Sequence, residues 1–304
     1  MLERTGDSPI EIHAPLLREQ DPAQVRGYIR AAQVLLTGLF SGLAIYQIVQ
    51  AWTGWMSTYA AWDYIHYVDG AKRWLATGSP YLPSEVAGPF QFTDLTFIHP
   101  PIAVYLFAPF IVLPAALFWL IPFAGTAAVI ASWRPARWTW PVMAALLCWP
   151  RFTGAVVVGN SDLWVVMFIA AGLRFGWPVL LLAVKPSIAP FALVEIAALI
   201  RSDAIPVRRW SQIAFTAFVV GLAAAPFGLL WLDWLAVVRN SPADPLYSIG
   251  STPFLMVPVL AWFGRQRYRR RSDVHDGVTP RREDRRPTRE REDDRDKRRA
   301  QDQA

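Results

Sequence analysis

Apolar residues fill the middle of the chain and polar ones its two ends. After a polar stretch over 1–28, residues 29–51 form an apolar run that, as helix, crosses about 30 Å of hydrocarbon. A polar and aromatic stretch follows over 52–98, holding Asp63, Asp69, Lys72, Arg73, Glu85 and Asp94. Residues 100–133 are apolar but broken by Pro109, Pro114 and Pro122, which fits one kinked span plus an interfacial piece or two short spans. Residues 138–158 read as a further span, with Pro141 and Pro150 inside it. Short apolar segments at 162–173, 177–184 and 187–200 precede a clear span at 211–232 and a short last one at 252–264. The pattern predicts an all-α, polytopic helical membrane protein of roughly eight hydrophobic segments.

Charge placement sharpens this picture. Residues 265–304 carry 15 of the 30 Lys and Arg and 10 of the 24 Asp and Glu, and residues 1–30 a further 4 and 5. Positions 31–264 therefore hold only 20 charges, far below the roughly 25% of a soluble domain. Three regions follow: a cytoplasmic tail over 1–28, a transmembrane domain over 29–264, and a charged, disordered cytoplasmic tail over 265–304. Arg201, Arg208, Arg209 and the basic run 265–271 place their side of the membrane in the cytoplasm. Loops 52–98 and 233–250 then face outward, and the expected location is a multi-pass protein of the plasma membrane.

Several function classes drop out. The basic residues of the tail alternate with acids, so the net charge of +6 speaks for a solvated segment rather than for nucleic-acid binding. A single cysteine, Cys148, excludes an internal disulfide and a Cys-based zinc site. His66 and His99 lack a third ligand at useful spacing, so no metal and no cofactor are expected. No signal peptide, phosphate-binding Gly-rich loop or serine-nucleophile motif is evident.

Candidate chemistry concentrates in 62–81. At helical spacing Asp63, Tyr67, Gly70 and Trp74 share one face, and Gly78 with Pro80 ends the helix. A carboxylate beside a membrane can take a proton from a hydroxyl, while aromatic faces stack on sugar rings. The same residues also fit an interfacial aromatic belt with Asp63 as a helix N-cap. Asp69 is read as orienting Lys72 or Arg73. Lys185, a cation in an apolar segment, needs a partner or a cavity, and Glu195 is the partner in sequence reach. Trp231, Trp234 and Trp262 read as interface anchors.

The series Asp63, Tyr67, Ala71, Leu75, Gly78, Pro80 and Tyr81 resembles the first loop of the polyprenyl-phosphate-mannose-dependent mannosyltransferases, glycosyltransferase family 87 of the GT-C superfamily. Phe97-Ile-His-Pro-Pro101, Gly159-Asn160 with Asp162, and Ala183-Val-Lys185-Pro186 are similar to later elements of that family, in order, over about 63–210. His99 stands where the family most often has Tyr, and the chain turns into its charged tail where relatives continue with more spans. The resemblance implies a GT-C-like membrane domain, with 52–98 as the large first outer loop. It implies a glycosyltransferase moving a mannosyl or related residue from a polyprenyl-phosphate donor to a lipid or glycan acceptor. Membrane lipids and a further membrane subunit are its implied partners. Carried over by position, Asp63 is catalytic, Lys185 and Arg151 bind the donor phosphate, and Tyr67, Asp69, Tyr81, His99 and Asn160 are substrate-binding candidates. A non-catalytic membrane partner and a lipid or sugar transporter are the alternative functions.

Overall fold

The structure, a computed structural model, describes residues 21–89, 96–175, 184–185, 207–241 and 251–265. Every regular element among them is helical. Helix α1 (Pro22–Thr53) starts seven residues before the apolar run, because Pro22 suits a first helical position and the Asp21 carboxylate accepts from the Ala23 amide at 2.8 Å. Next come α2 (Trp62–Thr77), the short α3 (Pro83–Ala87) and a helical stretch α4 (Pro101–Ile111). The block at 100–133 thus resolves into that short piece and one helix, α5 (Ala116–Trp133). Helices α6 (Thr139–Leu147), α7 (Pro150–Val158) and α8 (Asp162–Phe175) follow. The chain continues through α9 (Val207–Ala224), α10 (Leu230–Asn240) and α11 (Pro253–Arg265).

The expected architecture of roughly eight membrane segments is overturned. Only α1 and α5 are long and apolar enough to cross a membrane among the described residues, or four spans if each bent pair counts as one. The physical reason is the punctuation of the apolar blocks. Pro150 breaks 138–158 into α6 and α7, which meet at a bend of 61°. Gly228, with positive φ, precedes α10, which turns 87° from Ala214–Phe227. Residues 233–240, expected in an outer loop, are helical.

Several expectations fall with this count. The polytopic, polyprenyl-phosphate-dependent mannosyltransferase and the multi-pass plasma-membrane topology required the larger bundle. Segments 177–183 and 187–200, Glu195, the cluster at Arg201 and the tail beyond residue 265 lie outside the described residues.

The core that positions the site is aromatic. Phe97, Phe107 and Phe118 are fully buried and pack with Tyr67, Phe110 and Trp164 between α2, α4, α5 and α8. Tyr67 stacks on Phe107 with ring centroids 4.5 Å apart, and Phe110 and Phe118 meet edge to face at 5.2 Å. Each such ring contributes about 1.5–3 kcal/mol on leaving water. A smaller cluster of Ile130, Trp133, Met143, Val257 and Ala261 draws on α5, α6 and α11. Helix α1 packs on α6 and α7 and leaves Leu35, Leu39, Ile45 and Tyr46 exposed on its outer side.

Candidate functional site

Helix α2 forms where the spacing predicts it, and Gly78 ends it in the left-handed region at φ 82°. Its buried side carries His66, Tyr67, Val68, Gly70 and Ala71. Asp63 sits in the first turn but is no cap, since the N-cap residue is Ala61. Its carboxylate turns instead to the junction of α7 and α8. There the Asn160 side-chain amide donates to Asp63 Oδ2 at 2.5 Å.

That junction depends on Gly159. Its φ of +72° ends α7, and a Cβ there would lie 2.7 Å from Trp119 and 2.8 Å from Tyr64. The sharp turn brings Asn160 to Asp63 and Ser161 to Tyr67 on α2, and Asp162 to Lys185. Asn160 Oδ1 accepts from the Asp162 amide at 2.9 Å and from Lys185 Nζ at 3.3 Å. Lys185 Nζ also donates to Asp162 Oδ1 at 2.5 Å. The described partner of Lys185 is therefore Asp162, 23 residues away in sequence, which local spacing could not reveal.

A second layer lies behind this line. The Tyr67 hydroxyl accepts from the Ser161 amide at 3.4 Å and lies 3.5 Å from Asp63 Oδ2. His99 Nε2 is 2.9 Å from Ser161 Oγ, and its ring meets Tyr67 and Phe107 edge-on. The Tyr81 hydroxyl donates to the His99 carbonyl at 2.8 Å, so Tyr81 holds the His99 backbone. Of the expected substrate-binding residues, Tyr67, His99 and Asn160 gather around Asp63, while Tyr81 supports them from behind. Asp69 is elsewhere, paired with Lys72 at 3.0 Å on the open side of α2. Arg151 occupies the start of α7, roughly 10 Å along the helix from its end at Val158.

Burial sets the electrostatics. It holds the Asp63 carboxyl above its usual range, against the opposing pull of the Asn160 hydrogen bond and the charges of Lys185 and His66. Burial also drives the Tyr67 phenol well up and pushes His99 down to about 3, with Lys185 adding to the latter. His99 is thus neutral at physiological pH, a packing and hydrogen-bonding group rather than a proton carrier.

Sequence reasoning missed the lock that holds the loop before His99. Glu85 is buried, and its two carboxylate oxygens accept from the Leu82 and Phe97 amides, both at 2.8 Å. Asn240, the last residue of α10, donates to the Glu85 and Val86 carbonyls at 3.2 and 2.9 Å. Trp234 donates to the Ile98 carbonyl at 3.2 Å, so this residue, expected as an interface anchor, ties α10 to the strap beside His99.

Among the described residues no three His, Cys, Asp or Glu side chains gather where they could hold a metal ion. Neither a family model nor a curated protein nor a solved structure matches the chain.

Proposed function

We propose that the chain is an enzyme in which Asp63 acts as general base toward an uncharged, hydroxyl-bearing substrate. The observation that carries this reading is the two-sided environment of the Asp63 carboxylate. Oδ2 is held by Asn160, whereas Oδ1 has no hydrogen-bond partner among the described residues, and the side chain is only partly buried. A carboxylate held on one oxygen and open on the other can receive a proton without losing its orientation. Burial raises its affinity for that proton, which brings it closer to the pH at which a base works best.

In this reading the substrate hydroxyl gives its proton to Asp63 Oδ1 while its oxygen attacks an electrophilic centre. The leaving group departs with the bonding pair. Lys185 serves the carboxylate rather than a phosphate, because Asp162 already neutralises its charge at 2.5 Å. With Asp63 ionised, the Asp63, Asp162 and Lys185 group carries one net negative charge, which favours a neutral substrate over an anionic one.

Hydrolysis and transfer to glycerol of p-nitrophenyl glycosides, esters and phosphates tests the reading with purified protein. Release of nitrophenolate from an uncharged member of the set is expected, falling about 10²–10⁴-fold in Asp63→Asn. Equal release by the two proteins, or none above the buffer rate by either, contradicts it.

A further inference from the structure

Asn160 stands at the centre of the polar line with every hydrogen-bonding atom class in use. Its Oδ1 accepts from a backbone amide, that of Asp162, and from Lys185 Nζ. Both contacts require oxygen at that position, so the amide cannot flip, and the NH₂ group must face Asp63. Gly159 fixes the backbone that delivers it, since no side chain fits there between Trp119 and Tyr64. The Lys185–Asp162 pair, with side chains only 16% and 12% exposed, polarises the amide from the far side.

We infer that Asn160 is a positioning residue: it fixes which oxygen of Asp63 faces the substrate and relays the hydrogen bond that Lys185 makes to its Oδ1 on to that carboxylate. Its amide is committed to three protein partners, so it acts through Asp63 and leaves the substrate to that residue. The inference rests on the reading of Asp63 as the base only for its catalytic consequence. The coupling itself is a property of the resting protein.

Among the described residues, the charged and titratable groups around Asp63 are His66 and Tyr67 on its own helix, and Asp162 and Lys185 from α8 and the 184–185 segment. Removing the Asn160 amide deprives the ionised carboxylate of its shortest hydrogen bond and of the relay from Lys185.

Infrared titration of the full chain in detergent reads this directly, through the carbonyl stretch of protonated Asp63, identified as the band missing from Asp63→Asn. In Asn160→Ala the midpoint of that band should move up by about 1–2 pH units. Lys185→Met should raise the midpoint in the parent protein and raise it less when combined with Asn160→Ala. An unchanged midpoint in Asn160→Ala, or equal Lys185→Met shifts with and without Asn160, overturns the inference. If Asn160→Ala does not fold, the side-chain ¹⁵N resonance of Asn160 in the parent protein decides. It should titrate with the Asp63 midpoint, and a resonance indifferent to it overturns the inference. Neither readout depends on turnover, so a failure of Asp63 as catalytic base would show in the nitrophenyl assay and leave these results intact.

Discussion

Acid should destabilise this fold through His99, and the size of the effect follows from its surroundings. The ring is 5% exposed, wedged among Tyr67, Phe97 and Phe107, and shares the site with the Lys185 ammonium. Burial first and Lys185 second push its pKa from 6.5 down to about 3. Below pH 6.5 the unfolded chain takes up a proton that the folded chain refuses until about pH 3, so stability is lost as pH falls through this window. Each pH unit in the window costs about 1.4 kcal/mol. At about pH 4.5 the loss is about 2.7 kcal/mol, a large part of the 5–15 kcal/mol that holds a typical domain. Asp63 and Glu85 work in the opposite sense. Their raised values make the folded state bind protons earlier than the unfolded one, which adds stability on acidification. Comparison with His99→Gln isolates the histidine, because the carboxylates remain in both proteins. Thermal unfolding followed by tryptophan fluorescence in detergent, between neutral pH and about pH 4.5, should show the parent losing stability relative to His99→Gln, by about 2.7 kcal/mol at the acid end. Parallel declines in the two proteins would refute the assignment of acid lability to His99.

Three further outcomes follow from single contacts. Gly70→Ala places a Cβ 2.3 Å from the buried Phe97 ring and should lower unfolding stability by about 1–3 kcal/mol despite the better helix propensity of Ala, as measured by denaturant titration. Asp162→Asn leaves the Lys185 cation without its counter-charge in a site of low exposure, and should cost about 3–5 kcal/mol in the same titration. Asn240→Ala releases the Glu85 and Val86 carbonyls, and should speed hydrogen exchange over 82–89 while leaving α10 helical by circular dichroism.

What the sequence discloses here is local. Helix α2, its buried Tyr67–Gly70 side and its stop at Gly78 follow from spacing within one segment. The long apolar helices α1 and α5 follow from run length. Apolar blocks broken by Pro or Gly overstate the number of straight spans, because hydropathy counts residues and ignores the bends at Pro150 and Gly228, where each bent pair is either a broken span or a re-entrant loop. The resemblance brings Asp63, Asn160 and Lys185 to notice one by one but says nothing of their contacts. Asn160 meets Asp63 across 97 residues, and Trp234 meets Ile98 across 136, so only the packed core brings these pairs together. Glu85 was equally hidden, since an acid in a polar loop gives no sign of being buried against two backbone amides.

Asp63 combines a raised proton affinity with one carboxylate oxygen that no described residue holds. Labelling with dicyclohexylcarbodiimide, which attacks only the protonated acid in apolar surroundings, tests this most directly when the adduct is mapped by mass spectrometry across pH. Asp63 should be modified at pH values where an ordinary solvent-exposed aspartate is ionised and inert, and the labelling should fade as pH rises. Labelling of Asp63 confined to the pH range of an ordinary solvent-exposed aspartate would show that its carboxyl has no raised proton affinity.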